Sequence, residues 1–298
     1  MNGLLLLDKP VGLSSNAALQ RVRRLAGGIK AGHCGSLDPL ASGMLPICLG
    51  AATRLAGQLL EGAKAYRFTL QLGERTDTGD AEGQVIERAS VPALTPGAIR
   101  GALHGFLGAQ QQVPPMYSAL KRDGEPLYRL ARRGVTVPRE ARSIHIERLE
   151  LLAASADWLE LWVLCSKGTY VRVLGEELAR ALGSCGRLSS LRRDYVEPFA
   201  GEPLASLEQL AGSAPERWPL LPADRAVSHL EALSLTAAAA RALLQGRPLE
   251  WQRALAAAAP PRAGLWRLYD PHGRFLGLGS SDASGRVTAQ RLFPQGVA

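Results

Sequence analysis

Residues 66–72 place an apolar side chain at every second position. The apolar residues are Tyr66, Phe68, Leu70 and Leu72, and polar residues stand between them. Successive side chains of a β-strand point to opposite faces of its sheet, so this alternation predicts a strand with one buried and one exposed face. The chain must therefore build a sheet that packs one face against a core.

Other patterns predict further elements in the first 200 residues. Ser14 and Ser15 are candidate N-caps for a helix over residues 17–26. The Gly- and Pro-rich stretch over residues 27–50 predicts an ordered loop that leads into a helix. Further helices are expected over residues 96–107, 126–133 and 170–182. Further strands are expected over residues 144–152, 158–165 and 187–196.

Three prolines in residues 215–222 predict a domain boundary. The sequence pattern after this stretch differs from the pattern before it. Residues 233–244 are typical of a helix. Three short strands are expected beyond it, over residues 265–269, 275–279 and 287–292. We therefore expect a larger domain over residues 1–225 and a small β-rich module over residues 226–298. Inside that module, the alanine-rich run at 254–259 is interpreted as a helix end or a linker.

The composition of the chain limits the possible functions, but it does not limit the fold. The 298 residues include 35 Lys and Arg against 27 Asp and Glu, and the resulting net charge of +8 favours a polyanionic partner. The longest apolar runs are far shorter than the ~18 residues of a membrane span. The four cysteines form no C-x-x-C pair, so we expect reduced thiols, no zinc site and a cytoplasmic location.

Several common motifs are missing from the sequence. It contains no G-x-x-x-x-G-K-[ST], no G-x-S-x-G and no H-E-x-x-H. Gly277 and Gly279 form a G-x-G, but neither the third glycine nor the following helix of a dinucleotide site is present. These exclusions leave a basic two-domain enzyme or an RNA-binding protein.

Five ordered segments narrow this choice. The segment at residues 33–55, HCGSLDPLASGMLPICLGAATRL, resembles the defining motif of the TruB family of tRNA pseudouridine synthases. Four more segments resemble the same family in the same order: DKPVGLSS (8–15), KAYRFTLQLGERTDTGDAEG (64–83), PPMYSALKRDGEPLYRLARRG (114–134) and CSKGTYVRVL (165–174). The C-terminal module looks like the family's PUA-type RNA-binding domain, with a looser match.

The resemblance implies an α+β fold, with a mixed, mostly antiparallel sheet, flanking helices and a PUA-like β domain. It also implies a reaction in which uracil is detached from its ribose, turned and rejoined through carbon. That reaction needs no metal, redox cofactor or nucleotide. The implied substrate is uridine 55 in the T loop of tRNA. We expect a monomer that contacts the T arm of tRNA and needs no membrane and no protein partner.

Asp38 occupies the position of the family's catalytic aspartate. Breaking a glycosidic bond requires a nucleophile or a negative charge beside the sugar, and a carboxylate supplies either. Whether Asp38 attacks the ribose or the uracil is left open. From the local sequence alone, Asp38 before Pro39 fits a helix N-cap equally well.

Arg172 matches the family's arginine that pairs with the catalytic aspartate. A guanidinium at that place would hold down the pKa of the Asp38 carboxyl and keep it ionised. Without the motif, Arg172 would be interpreted as a solvated arginine on a helix. Lys9 and Pro10 match a motif that supports the catalytic loop from below.

The resemblance assigns four further residues to the target base. Tyr66 matches an active-site tyrosine that stacks on uracil and assists proton removal, although a core position is the alternative. The target uridine must be flipped out of its stack, and His33 matches a histidine that contacts the RNA beside it. Tyr170 and Leu191 match residues that line the uracil pocket, and Leu191 fits an ordinary core position as well.

Residues 114–142 correspond to the family's RNA-gripping insertion and hold seven Lys and Arg against three acidic residues. Five basic side chains are candidates for neutralising phosphates: Lys121, Arg122, Arg129, Arg132 and Arg133. The alternative for each of them is a solvated surface position.

The sequence departs from the family pattern at a few places. Cys34 stands where Thr is usual, and Arg54 stands where Lys is common. After Val196 the chain continues with Glu197 and Pro198 instead of the usual Val-Gly pair, which puts the end of the preceding strand in question.

Two other functions fit the same scaffold. One is a non-catalytic tRNA-binding or folding protein, and the other is a synthase guided by a separate RNA. The intact insertion favours stand-alone action.

We predict that the affinity of the protein for tRNA falls as salt rises, because basic side chains that neutralise phosphates release counterions. The logarithm of the association constant should fall linearly with the logarithm of salt concentration, with a slope of several units. Filter binding between about 50 and 200 mM salt measures this slope. A flat response would contradict a phosphate-gripping insertion.

Overall fold

A computed structural model describes residues 1–250 and 263–293 of the chain. Its strands are β1 (Gly3–Lys9), β2 (Ala31–His33), β3 (Ala41–Leu49), β4 (Lys64–Leu72), β5 (Glu74–Thr76), β6 (Val85–Arg88), β7 (Gly108–Gln112), β8 (Lys121–Arg122), β9 (Glu125–Pro126), β10 (Arg142–Ala154), β11 (Trp158–Cys165), β12 (Gly186–Val196), β13 (Ala232–Ser234), β14 (Leu249–Glu250), β15 (Gly264–Tyr269), β16 (Phe275–Ser281) and β17 (Arg286–Leu292). Its α-helices are α1 (Ser15–Leu25), α2 (Pro96–Gly105), α3 (Leu127–Arg132), α4 (Val171–Ala181), α5 (Leu207–Ala211) and α6 (Ala237–Leu244).

The larger sheet has eight strands in the order β1-β3-β12-β4-β11-β10-β7, and β2 also pairs with β3. Every pairing is antiparallel except that of β12 with β3. The alternating strand predicted from residues 66–72 is β4, which lies between β12 and β11. Tyr66, Phe68 and Leu70 are buried in its core, whereas Arg67 is exposed.

Helices cover the buried face of this sheet. In α1, the side chain of Ser14 accepts a hydrogen bond from the Ala17 amide, so Ser14 is the N-cap. Ala18 and Val22 of α1, together with Leu174 and Leu178 of α4, join the core formed with β4 and β11. The predicted mixed, mostly antiparallel α+β architecture is therefore confirmed.

The expectation of a loop over residues 27–50 is wrong. This stretch forms β2 and the nine-residue β3, which leads into a short 3-10 helix, Gly50–Leu55. Nearly every residue of β3 is buried, because β1 and β12 flank the strand and both of its faces are covered. A strand buried on both faces lacks the alternation that marks a half-exposed strand, and its glycine and proline hide it further.

A second sheet of five strands follows in the order β13-β15-β16-β17-β14. The three predicted C-terminal strands are confirmed as β15, β16 and β17. The predicted helix over 233–244 is partly wrong, since Leu233 lies in β13 and α6 begins only after its N-cap Thr236. The alanine-rich run at 254–259 lies outside the described residues.

The two sheets share a hydrophobic cluster. Phe275 and Phe293 from the second sheet region pack with Leu4, Leu6 and Val196 of the first. Arg54 Nη1 also donates to the Leu292 carbonyl oxygen at 2.6 Å, so the arginine that departs from the family pattern bridges the two sheets.

Within residues 1–250 and 263–293, no helix is long and apolar enough to cross a membrane.

Gly43 allows β12 to approach β3. Its φ is +98°, and a Cβ atom at this position would lie 2.3 Å from the carbonyl oxygen of Arg193. Gly12 also has a positive φ of +84°, but a Cβ atom there would have nothing within 4 Å. Both glycines therefore hold a left-handed backbone, and only Gly43 is also held by a close contact.

We predict that Gly43→Ala lowers the free energy of unfolding by about 2–4 kcal/mol, because backbone strain and a backbone clash add together. Gly12→Ala, which has the strain alone, should cost about 1–2 kcal/mol. Urea unfolding of both variants measures the difference. Equal losses in the two variants would show that the approach of β12 can relax.

Candidate active site

A cavity of about 740 Å³ opens beside the start of β3. Its wall is built by the loop before β3, the start of α1, the turn between β5 and β6, and the insertion. Four predicted site residues lie on it, namely Asp38, Arg172, His33 and Arg132. A second cavity of about 530 Å³ lies against Arg172 and Tyr117 but includes neither Asp38 nor Asp80.

Asp38 lies in the loop between β2 and β3. The Ser15 hydroxyl holds this loop in place, because its oxygen accepts from the Leu37 amide at 2.7 Å and its proton is donated to the Leu37 carbonyl at 3.1 Å. The Ala41 amide then donates to the Asp38 carbonyl at 3.0 Å, and β3 begins at Ala41. A strand follows Asp38, so the alternative of a helix N-cap is wrong.

Arg172 is the second residue of α4, and its side chain is only 5% exposed. Nε lies 3.0 Å from Oδ2 of Asp38 and 3.7 Å from Oδ2 of Asp80. Nη1 donates to the Thr78 carbonyl at 2.6 Å, and Nη2 donates to the Tyr117 carbonyl at 2.7 Å. The interpretation of Arg172 as a solvated helix residue is therefore wrong, and the ion pair with Asp38 is present.

Arg172 lowers the pKa of the Asp38 carboxyl, as expected, but the net shift is upward. Burial of the carboxyl is the largest cause and raises its pKa above the usual value. The charge of Arg172 opposes this increase, whereas the carboxylate of Asp80 adds to it. Arg172 serves two carboxylates at once, so it does not offset the cost of burying the Asp38 charge.

Asp80 is a site residue that the motifs did not single out. It is 3% exposed, and its Oδ1 accepts from the Thr78 hydroxyl at 2.7 Å and from the Glu82 amide at 3.1 Å. Its only signal in the sequence is the turn-rich segment T-D-T-G-D within the resemblance motif at residues 64–83. A turn pattern indicates where the chain reverses but not which side chain points inward.

Tyr66 lies under the cavity rather than on its wall. It is 8% exposed on β4, where its backbone partners are Val163 and Arg193. Burial raises the pKa of Tyr66, and the nearby charge of Arg193 opposes the increase. The core placement is thus observed, and the hydroxyl stays protonated near neutral pH.

Arg193 was not anticipated from the sequence. Its side chain is 1% exposed, and Nε donates to the Met44 carbonyl at 2.8 Å. Nη1 and Nη2 reach the carbonyl oxygens of Ser36 at 3.4 Å and Gly35 at 3.3 Å. Arg193 therefore supports the loop of Asp38 from beneath. An arginine inside a strand carries no pattern that would reveal this buried position.

His33 lies on the cavity wall at the end of β2. Burial and the charge of Arg193 lower its pKa, so the imidazole is neutral at pH 7. Its Nδ1 is buried and has no hydrogen-bond partner among the described residues.

Tyr170 and Leu191 do not lie on the cavity wall. Gln112 holds the backbone of Tyr170, since its side chain accepts from the Tyr170 amide at 2.8 Å and donates to the Tyr170 carbonyl at 3.2 Å. Leu191 is 8% exposed on β12 and belongs to the main core, opposite Phe68 of β4. The core position considered for Leu191 is thus the one observed.

The five basic residues of the insertion differ in their surroundings. The guanidinium of Arg132 lies 5.6 Å from the ring centre of Tyr128 on the cavity wall. Arg133 forms two hydrogen bonds to Glu125, and Nε of Arg122 lies 3.9 Å from Asp123. The remaining two, Lys121 and Arg129, form no ion pair with any of the described residues, and both are exposed to solvent.

Lys9 is fully buried and donates from Nζ to the carbonyl oxygens of Pro10 at 2.9 Å and Leu13 at 2.6 Å. Burial lowers its pKa to about 8. These contacts fit the supporting role implied by its motif. Glu197 also has a local role, because its Oε2 accepts from the Ala63 amide at 2.9 Å just after β12 ends at Val196.

Comparison with known proteins identifies the family. The model of the TruB family pseudouridylate synthase N-terminal domain matches residues 23–171, and that of the pseudouridine synthase II TruB C-terminal domain matches residues 232–293. The chain belongs to the TruB family of pseudouridine synthases. It is therefore an isomerase, and its second sheet lies in the family's C-terminal domain.

Two relatives cover nearly the whole TruB-family chain. One from Aromatoleum aromaticum is 50% identical over 98% of this chain and 92% of its own length, and one from Chromohalobacter salexigens is 48% identical over 98% and 94%. Both are named tRNA pseudouridine synthase B. Among solved structures, a Cbf5-Nop10-Gar1 complex has a similar chain, with a TM-score of 0.73, 25% identity and coverage of 95% of this chain and 79% of that one.

We predict that Asp80→Asn lowers the pKa of the Asp38 carboxyl, because it removes the negative charge that opposes ionisation and leaves Arg172 to Asp38 alone. Carboxyl ¹³C NMR titration of the labelled protein measures the shift directly. Asp194→Asn, which removes a carboxylate near Arg67 and Arg192, is the matched control and should leave the Asp38 titration unchanged. An unshifted Asp38 titration in Asp80→Asn would contradict the proposed competition for Arg172.

Proposed function

We propose that this enzyme converts uridine 55 in the T loop of tRNA to pseudouridine, with Asp38 as the nucleophile. The observation that carries the proposal is the position of Asp38. Its carboxylate faces the cavity, and its Oδ2 lies 3.0 Å from the buried guanidinium of Arg172. The two relatives at 48–50% identity are both named tRNA pseudouridine synthase B, and these names support tRNA as the substrate.

The proposed reaction breaks the bond between C1′ of the ribose and N1 of uracil and forms a bond between C1′ and C5. The ionised Asp38 carboxylate forms a transient bond through one oxygen, either to C1′ of the ribose or to the uracil ring, and this bond breaks again before the product leaves. Arg172 keeps that oxygen directed into the cavity. After the uracil has turned and rejoined, C5 loses its proton and the freed N1 takes one up, so the net change is an isomerisation. The protonated Tyr66 hydroxyl is assigned to assist this transfer by hydrogen bonding, and its ring must first become accessible from its buried position on β4.

The charges of the cavity fit a base rather than a phosphate. Its wall carries four carboxylates, namely Asp38, Asp77, Asp80 and Glu82, against the guanidiniums of Arg132 and Arg172. Phosphates are repelled from such a wall, whereas the uncharged uracil can enter. We therefore propose that the uridine is flipped into the cavity while its phosphates stay at the rim.

The roles at the rim follow from the same reasoning. The neutral His33 imidazole, with its free Nδ1, contacts the RNA beside the flipped uridine. Tyr170 and Leu191 complete the base pocket if the wall opens towards them on binding. Lys121, Arg122, Arg129 and Arg132 supply phosphate contacts, and Arg133 does so after it leaves Glu125.

We propose residues 1–225 as the catalytic domain and residues 226–298 as an RNA-binding domain. The separate five-stranded sheet within the second range supports this division. The proposed enzyme acts as a cytoplasmic monomer on the T arm of tRNA, without a cofactor, a guide RNA or a protein partner.

We predict that wild-type protein modifies an unmodified tRNA transcript without added metal or nucleotide. Asp38→Ala should lose turnover by at least about 10⁴-fold and retain tRNA binding, because it removes the nucleophile and leaves the phosphate contacts intact. Chemical adduct formation followed by primer extension maps the product. The expected result is one stop at the T-loop uridine that is absent in the variant.

Asp194→Ala is the control, because it removes an aspartate that lies outside the cavity wall. Tight tRNA binding without any modification by the wild-type protein would favour the non-catalytic binding function. Modification at a different uridine would support the proposed reaction but contradict uridine 55 as its target. Loss of activity after ribonuclease treatment of the purified enzyme alone would favour a guide RNA.

A further inference from the structure

The segment between Lys9 and Asp38 contains no acidic residue. It carries four exposed or half-exposed basic residues, which are Arg21, Arg23, Arg24 and Lys30. No carboxylate of the described residues lies within 4.0 Å of any of the four. Elsewhere many surface arginines are paired, for example Arg75 with Glu87 at 2.6 Å.

This basic segment begins at the cavity. Asn16, at the start of α1, lies on the cavity wall. Its Oδ1 accepts from Gln20 Nε2 at 3.3 Å, and Gln20 Oε1 accepts from Arg23 Nη1 at 3.0 Å. A row of polar side chains therefore runs along α1 from the cavity rim. Arg24 follows Gln20 by four residues, so it lies on the same side of the helix.

The turn after α1 is tied to the same row. Arg23 Nε donates to the carbonyl of Ile29 at 3.3 Å, which places the residue before Lys30 against the helix. Lys30 is exposed, and its carbonyl accepts from the Gly50 amide at 2.7 Å, so its backbone is fixed at the edge of the sheet. We call Arg23, Arg24 and Lys30 the α1 surface.

The insertion and α1 both contribute to the cavity wall. Arg132 and Tyr128 come from the insertion, and Ser14 and Asn16 come from the start of α1. An RNA that places one base in the cavity therefore passes close to both elements. Arg24 lies eight residues from Asn16, or about 12 Å along the helix, which is beyond the reach of the flipped nucleotide itself.

We propose that the α1 surface binds phosphates of the RNA stem that carries the target loop, and so forms a second phosphate-binding surface in addition to the insertion. This inference rests on the proposed function, because it assumes that an RNA base occupies the cavity. The ligand chemistry is the phosphodiester backbone of a double-stranded stem. The α1 surface reads no sequence, since arginine and lysine side chains without carboxylate partners contact phosphates in any sequence.

Arg100 and Arg217 provide a control outside α1. Arg100 lies on α2 and Arg217 in the short 3-10 helix Pro215–Arg217, and both are exposed. A long-range field that depends only on net charge would make the loss of these two arginines equivalent to the loss of Arg24 and Lys30. A defined phosphate contact makes the two losses different.

The test compares two double variants with the same change in net charge. Arg24→Gln/Lys30→Gln removes two cations of the α1 surface, and Arg100→Gln/Arg217→Gln removes two exposed arginines outside it. Each full-length protein is titrated with a T-arm hairpin RNA and with the same loop as a single strand. Filter binding is repeated between about 50 and 200 mM salt to obtain the slope.

For the hairpin, Arg24→Gln/Lys30→Gln should weaken binding by about tenfold or more and reduce the salt slope by about 1.5, as expected for two lost phosphate contacts. The control pair should stay within about twofold of wild type. Neither pair should change the affinity for the single-stranded loop. At saturating tRNA the rate should be unchanged in Arg24→Gln/Lys30→Gln, while KM rises.

Equal losses in the two double variants would overturn the proposal and indicate only the net charge of the protein. An equal loss on the single-stranded loop would overturn it as well, because the contact would then not involve the stem. A third outcome is that no protein forms pseudouridine, while Arg24→Gln/Lys30→Gln still loses affinity for the hairpin alone. This result would support the α1 surface as an RNA-binding site and contradict the proposed reaction. The binding and product measurements therefore separate the two proposals.

Discussion

The guanidinium of Arg172 is the contact on which the candidate active site depends. It joins the loop of Asp38, the turn that carries Thr78 and Asp80, and the base of the insertion at Tyr117. A buried charge without partners costs several kcal/mol, so each of these segments is held to a position where it can satisfy the arginine. The same contact ties the insertion to the carboxylate of Asp38.

The second constraint is the distribution of charge. The chain is basic overall, yet the cavity wall has more carboxylates than guanidiniums. In the proposed function this arrangement separates two tasks, because the basic exterior attracts phosphates whereas the carboxylates of the cavity wall favour an uncharged base. Burial and the charge of Asp80 together outweigh Arg172 and raise the pKa of Asp38. The ionised form of Asp38 is therefore less favoured than that of a solvated aspartate.

Strand packing supports the loop that carries Asp38. Gly43 lets the backbone of β12 approach β3, and the side chain of Arg193 on β12 then reaches the carbonyl oxygens of Gly35 and Ser36. Ser15 holds the loop from α1. Asp38 is therefore positioned by residues far apart in sequence, and no local motif could have indicated Arg193.

The sequence by itself determined the elements with a clear period and the family to which the chain belongs. The alternation in β4, the apolar face of α1 and the five ordered motifs are local, so they are readable without a structure. The resemblance to the family also predicted an ion pair between Asp38 and Arg172, and the structure contains this pair. Only the tertiary structure decided that β3 is a strand, that Asp80 shares Arg172, and that Tyr66 and Leu191 lie in the core. These outcomes depend on burial and on distances between segments, which a linear pattern does not encode.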